Sequence, residues 1–318
     1  MLPTRRKRTF PWRFVLFAAF VLTPISFPGS AELQTQSPSA RPPAQEQDDI
    51  VRVTTDLVVL NVTVLDRNEK FVSGLKRSDF QVFEDGVEQK VSTFSAEETP
   101  FAAAILLDTS GSMESRLTLG RSAAIRFLDG LRDEDVAAVY SFSHKVEQWS
   151  DFSPGRDLPA RVYGLKTKTL TALNDAIVRA ADDLAKRDEK RRAIVVLSDG
   201  GENFSHASAD KALDRASLAG ATIYGANMSE TGPRRDVAGV AILKNLAEKS
   251  GGRYIDAPGG PELRDSFAAI AEELGHQYTI AYRPTNRARD GKWRTVQVKL
   301  AKPDTTLRTR KGYRAPKG

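Results

Sequence analysis

The region from Phe101 to Leu274 alternates between short apolar runs and longer amphipathic stretches, and this alternation most strongly limits the possible folds. The apolar runs are FAAAILL, VAAVYSF, AIVVLS and ATIYGA, and the stretches among them carry apolar residues at helical spacing. Apolar runs without polar alternation are typical of strands buried on both faces. The sequence therefore predicts an α/β domain with a mostly parallel central sheet covered by helices.

The segments on either side of this region have patterns typical of short antiparallel strands. Residues 50–97 are rich in β-branched residues, with strands expected before a turn at Asp85-Gly86, including one over 71–75. Residues 276–318 contain YTIAY, TVQVKL and TLRTRKGY. Neither segment has enough strands to bury a sheet face by itself. We therefore expect them to pair into one small β-sandwich, with the α/β domain of residues 98–275 inserted between them.

Residues 1–31 have the pattern of an export signal peptide. A basic run, Arg5 to Arg8, precedes an apolar stretch, and small residues allow cleavage after Ala31. The alternative is an uncleaved membrane anchor, although the apolar stretch is shorter than the roughly 20 residues of a spanning helix and contains Pro24. Residues 32–49 are polar and Pro-rich, and a disordered linker is expected there. The body of the protein is therefore expected in the periplasm, at the cell surface or in the medium.

The charge balance argues against nucleic acid as a partner. The chain has 47 Lys and Arg residues and 41 Asp and Glu residues, but five of the cations lie in residues 1–31, which contain no acidic residue. The remainder is close to neutral and lacks the basic patch that nucleic-acid binding requires. The absence of cysteine excludes disulfides, thiolate metal ligands and cysteine nucleophiles.

Oxygen-bearing side chains follow two of the apolar runs and precede one helix. The sequence DTSGS directly after FAAAILL places Asp108, Ser110 and Ser112 on one loop. Thr171 lies before a helix, and Asp199 directly follows AIVVLS in the run Ser198-Asp199-Gly200. Because ligands of open α/β sheets gather at the carboxyl ends of the strands, these side chains are expected to meet there. Carboxylate and hydroxyl oxygens suit hard divalent cations.

This ordered set resembles the metal-ion-dependent adhesion site of von Willebrand factor type A domains. The similarity covers residues 98–275 and implies a Rossmann-like fold. It also implies that Ser110, Ser112 and Thr171 supply hydroxyl ligands, while Asp108 and Asp199 bind directly or through water. The cation expected from the resemblance is Mg²⁺, with Mn²⁺ or Ca²⁺ as alternatives.

The loop before the helix departs from the family pattern. Small glycines often precede the family's loop threonine, whereas this chain has KTKTLT. Thr169 is therefore an alternative ligand, and Lys168 would weaken cation binding by repulsion. Thr171 is preferred because the family's helix then begins at Ala172. The runs EDG and RKGY outside the domain, together with SGGRY near its end, extend the resemblance to secreted bacterial von Willebrand factor A related proteins of the acidobacterial type.

The resemblance implies an exported adhesion or scaffold module whose protein partner, through a carboxylate or another oxygen, completes the cation's coordination. Loops at 113–116, 143–148 and 202–206 are expected to select the partner. The three histidines show neither a Ser-His-Asp order nor a His-Glu-x-x-His motif, so no enzyme is expected. A structural envelope protein with a degenerate metal site and a metal-dependent hydrolase stay as alternatives. Membrane contact is expected only through an uncleaved N-terminal segment.

Overall fold

The computed structural model describes residues 57–96, 99–229, 236–256 and 261–318. The predicted signal peptide and linker lie outside these ranges. Within them, no helix has both the length and the apolar character that a membrane crossing requires. The described residues all belong to one structural unit, Val53–Gly318.

Four strands precede the α/β region: β1 (Val58–Leu65), β2 (Phe80–Glu84), β3 (Val87–Gln89) and β4 (Val91–Ser95). The turn between β2 and β3 lies at Asp85 and Gly86, both with positive φ, as the Asp-Gly pair predicts. The prediction of a strand over residues 71–75 is wrong. Phe71 makes only a single bridge, to Leu65, and the Val72 N–H donates to the Val64 carbonyl oxygen of β1 at 3.0 Å. Beyond this point no ladder continues through the described residues 73–76, and the Val72 carbonyl oxygen and the Leu75 N–H bond to the Tyr278 hydroxyl.

Strands and helices alternate through the inserted region. In chain order these elements are β5 (Phe101–Asp108), α1 (Leu117–Asp129), β6 (Val136–Phe142), β7 (Val146–Ser153), α2 (Leu173–Leu184), β8 (Arg191–Ser198), α3 (Ala209–Leu218), β9 (Ala221–Asn227), α4 (Val237–Ser250), β10 (Tyr254–Asp256) and α5 (Pro261–Gly275). The six strands form one sheet in the order β10-β9-β8-β5-β6-β7. All of its neighbours pair in parallel except β6 and β7. The expected mostly parallel sheet is thus confirmed, and the antiparallel edge strand β7 is an addition.

Both faces of the central sheet are covered by helices. Along β5, Phe101 and Ile105 face a core shared with α1 and α5, while Ala102 and Leu106 face a core shared with α2, α3 and α4. All eight residues of β5 are buried. This two-sided burial explains why the strand reads as a continuous apolar run.

Four strands follow the α/β region: β11 (Tyr278–Tyr282), β12 (Trp293–Leu300), β13 (Thr306–Arg308) and β14 (Gly312–Arg314). They join the N-terminal strands in two antiparallel sheets, ordered β13-β1-β11-β4 and β14-β12-β2-β3. Leu60, Val82, Ile280 and Val298 belong to the one core between these sheets. The β-sandwich predicted from the two flanking segments is confirmed.

Arg191 fastens the inserted region to the sandwich. Its side chain is fully buried, and its guanidinium donates to the carbonyl oxygens of Ala96 and Thr99 where the chain enters the α/β region. It also donates to those of Leu274 and Gly275 where the chain leaves it. One cation therefore holds both crossing segments at the base of β8.

Candidate metal centre

Asp108 is the last residue of β5 and is almost completely buried, with 1% of its surface exposed. One carboxylate oxygen accepts the Ser110 backbone N–H at 2.7 Å, and the other accepts the Ser198 hydroxyl at 2.5 Å. Burial raises the pKa of Asp108 to about 7, against the lowering effect of these hydrogen bonds, and the charge of Asp199 contributes to the rise. The carboxylate is thus fixed in place and lies close to a second carboxylate.

The loop after β5 brings two hydroxyls together. The Oγ atoms of Ser110 and Ser112 lie 3.1 Å apart, with Ser110 buried and Ser112 exposed. Thr109 anchors this loop, because its backbone N–H and its hydroxyl both donate to the Phe142 carbonyl oxygen, at 2.8 Å and 3.0 Å. The neighbouring strand β6 therefore sets the position of both serines.

Thr171 and Asp199 meet beside Gly201. A Cβ atom placed on Gly201 would lie 3.7 Å from Thr171 Oγ1 and 3.2 Å from Asp199 Oδ1, so both oxygens border the same small space. Thr171 is 4% exposed, whereas Thr169 is exposed. Of the two candidate threonines, the structure brings Thr171 next to the acidic ligand.

The Lys168 backbone fastens the threonine loop to the serine loop. Its N–H donates to the Thr109 carbonyl oxygen at 2.8 Å, and a single parallel bridge joins it to Ser110. Lys168 is exposed. Its backbone therefore positions the site while its ammonium group is surrounded by water, which screens repulsion of a cation.

Sequence reasoning missed the side chains that hold the threonine loop. Asn203 Oδ1 accepts the Thr171 N–H at 2.9 Å, and the Glu202 carboxylate accepts the N–H groups of Asn174 and Ser205, each at 2.9 Å. Ser198, which bonds Asp108, was likewise read only as part of the Ser-Asp-Gly run. The polar residues at 198–203 indicated that this segment makes hydrogen bonds, but they did not indicate with which residues. The partners of Glu202 and Asn203 in the threonine loop lie about thirty residues away in the chain.

The five predicted ligands thus come from three loops at the carboxyl edge of the sheet. In the described part of the chain no three Asp, Glu, His or Cys side chains cluster as a metal site, so hydroxyl oxygens have to complete this donor set. Two neighbouring carboxylates repel each other unless a cation or a proton lies between them. Carboxylate and hydroxyl oxygens with room for water are the donors that Mg²⁺ and Mn²⁺ prefer, and the residues therefore fit such a cation.

The family model described as von Willebrand factor type A domain matches residues 103–202, which include all five predicted ligands. The chain contains a von Willebrand factor type A domain. The family resemblance and its α/β fold, both expected from the sequence, are confirmed. In the structure the matched residues run from β5 to β8 and include α1 and α2, while α3 to α5, β9, β10 and the β-sandwich lie outside them.

Two curated proteins are similar to part of this chain. Rat inter-alpha-trypsin inhibitor heavy chain H3 is 28% identical over 126 residues, which are 35% of this chain and 14% of that protein. An uncharacterized Synechocystis protein is 27% identical over 124 residues, which are 38% of this chain and 29% of that protein. The chain thus matches less than a third of the length of either relative.

Solved structures also resemble the chain. A von Willebrand factor type A protein from Catenulispora acidiphila has a TM-score of 0.45 and 15% identity, covering 83% of this chain and 75% of that chain. An aerotolerance-related membrane protein from Bacteroides fragilis has a TM-score of 0.46 and 21% identity, covering 55% of this chain and 98% of that chain.

The loops expected to select a partner are only partly available on the surface of the von Willebrand factor type A domain. Met113 is buried in the core, and residues 146–148 belong to β7. Glu202 is engaged in internal hydrogen bonds, as described above. The apolar side chains exposed in the two loops that flank the candidate ligands are Leu170, at 36%, and Phe204, at 42%, among the residues that the structure covers.

Proposed function

We propose that the von Willebrand factor type A domain binds a divalent cation, and that a protein partner completes the cation's coordination with a carboxylate oxygen. The observation that carries this proposal is the convergence of five oxygen-bearing side chains at one sheet edge: Asp108, Ser110, Ser112, Thr171 and Asp199. A binding role also fits the family, whose domains generally mediate protein–protein interactions.

The geometry supports a cation held from one side. Asp108, Ser110 and Thr171 are buried, while Ser112 is exposed and Asp199 is partly so. A cation here would supply a positive charge that an incoming oxygen can reach from solvent. Leu170 and Phe204 offer apolar contact beside it, so a partner carboxylate flanked by apolar side chains matches this edge.

Calorimetric titration of the chain with Mg²⁺, Mn²⁺ and Ca²⁺ tests cation binding. We expect binding in the wild type and its loss in Asp108→Ala and in Asp199→Ala. Asp157→Ala is the matched control because Asp157 is exposed and lies outside the site. Circular dichroism and thermal unfolding check that each variant is folded. A wild type that binds none of the cations, or variants that bind as tightly as the control, would contradict the proposal and favour a degenerate structural site.

We also propose that residues 1–31 direct export and are removed. The basic start, the apolar stretch and the small residues before Glu32 support this proposal. Mass spectrometry of the protein from its native envelope or medium is expected to give an N-terminus at Glu32. An intact N-terminus in a membrane fraction would instead support the anchor.

A role without catalysis is part of the proposal. A metal-dependent hydrolase needs a general base beside the cation. The histidines next to these loops make local contacts: His144 Nδ1 lies 3.3 Å from the hydroxyl of adjacent Ser143, and exposed His206 pairs with Asp175 at 3.1 Å. We expect no hydrolysis of p-nitrophenyl phosphate or p-nitrophenyl acetate with Mn²⁺ present. A rate that Asp108→Ala abolishes would favour the hydrolase.

A further inference from the structure

A basic cavity lies between the β-sandwich and α3, away from the cation site. Its volume is about 430 Å³, within the range of about 300–1,000 Å³ typical of small-molecule pockets. Ser217 and Leu218 border it at the end of α3, just before β9 begins. Because β9 runs parallel to β5 and β8, this is the opposite edge of the sheet from Asp108. The cavity is therefore a separate feature of the molecule.

The lining of this cavity is strongly one-sided in charge. Five arginines contribute to it: Arg283, Arg287, Arg289, Arg310 and Arg314. None of the described residues that line it is acidic. Arg314 pairs with Asp214 at 2.9 Å, but Arg283, Arg287 and Arg289 are exposed and make no ion pair with any residue the structure describes.

Arg310 makes the cavity more than an exposed basic patch. It is 9% exposed, and its terminal nitrogens donate to the neutral carbonyl oxygens of Ser217 and Val59. Its Nε atom is buried with no hydrogen-bond partner in the described structure, and no described carboxylate pairs with it. Burial accordingly lowers the pKa of Arg310, while the nearby Tyr282 and Tyr313 act in the opposite direction. A buried guanidinium without a counter-ion is costly, and an anion bound beside it would offset that cost.

Much of the remaining wall is apolar. Leu57 is 38% exposed and Leu218 is 67% exposed at this cavity, and Pro284 and Pro316 line it as well. Exposed leucines beside a concave surface favour a ligand with an apolar part. An inorganic ion alone would leave them in water.

We propose that this cavity binds a small organic anion that carries at least two phosphate or carboxylate groups on a partly apolar body. The guanidinium fork matches either group through paired hydrogen bonds. Four arginines without a carboxylate partner account for more than one anionic group, and Leu57 and Leu218 account for the apolar body. This site goes beyond the proposed cation-dependent binding and requires no cation.

The test uses pyrophosphate and citrate as probes, titrated into the full chain in about 0.15 M salt, where exposed charges are screened beyond about 8 Å. The variant is Arg287→Ala/Arg289→Ala, because both side chains are exposed and their removal should leave the fold intact. The matched control is Arg126→Ala/Arg264→Ala, which removes the same charge from exposed positions on α1 and α5. We expect the cavity variant to weaken binding about tenfold or more, and the control to leave it unchanged.

Binding of pyrophosphate but not citrate would assign a phosphate-bearing ligand, and the reverse a carboxylate-bearing one. Equal weakening in the variant and the control would overturn the proposal, since net charge alone would then explain binding. A wild type that binds neither probe would also overturn the proposal. Binding of a short polyglutamate peptide but of neither probe would overturn it too, and would indicate an acidic protein segment as the ligand. Chelation of divalent cations should not change probe binding, which separates this outcome from that of the cation site.

Discussion

Gly200→Ala should damage the loop that carries Asp199 more severely than its small size suggests. Gly200 has φ +87°, and a Cβ atom there would lie 2.6 Å from the backbone carbon of Gly239 and 2.7 Å from its oxygen. Both contacts are with backbone at the start of α4, which cannot rotate away as a side chain can. The loop or the helix has to move.

The size of the effect follows from two separable causes. A non-glycine residue in the left-handed region costs about 1–2 kcal/mol, and forcing atoms into a packed site costs about 1–3 kcal/mol. We therefore expect Gly200→Ala to lower the free energy of unfolding by about 2–5 kcal/mol. Gly220→Ala is the control, because Gly220 has φ +65° but no heavy atom within 4 Å of the added Cβ. It should cost only about 1–2 kcal/mol.

Urea denaturation of the wild type and both variants measures these costs, and calorimetry with Mg²⁺ measures the local effect. Gly200→Ala should also weaken Mg²⁺ binding because Asp199 moves with the loop, while Gly220→Ala should not. Equal destabilisation by the two variants would refute the close-packing explanation and leave the left-handed conformation as the only cost. Unchanged Mg²⁺ affinity in a destabilised Gly200→Ala would show that the loop does not set the ligand.

Three further predictions concern the ligand set and the domain junction. Thr171→Ala should weaken Mg²⁺ binding by about tenfold or more in calorimetry, and the neighbouring Thr169→Ala should not. Free Mg²⁺ at about 100 times its Kd should stabilise the wild type by about 2.7 kcal/mol, raising the Tm by about 5–10 °C, and EDTA should reverse the shift. Glu273 is fully buried and pairs with Arg308. Glu273→Ala should therefore lower the free energy of unfolding by about 3–5 kcal/mol in urea denaturation, whereas Glu272→Ala, at an exposed position, should change it little. Similar values for both variants would contradict the buried-pair role.

The sequence predicted most of the α/β region because its strands are buried on both faces. The apolar run at β5 and the helical spacing of α2 were visible without any knowledge of their neighbours. The edge strand β7 was missed because VEQWSDFS carries few apolar residues, and its pairing depends on the exposed edge of β6. The stretch TLRTRKGY was read as one strand, whereas it supplies β13 and β14 to different sheets.

The sequence by itself determined the family, the order of the elements and the five candidate ligands, since each rests on residue types at a local spacing. Tertiary structure alone decided that Asn203 holds Thr171, that Ser198 bonds Asp108, and that five arginines from the C-terminal strands and loops share one cavity with the end of α3. These contacts join residues far apart in the chain. They form because the sheet and the sandwich bring distant loops to common edges, and local periodicity carries no information about which loops will meet.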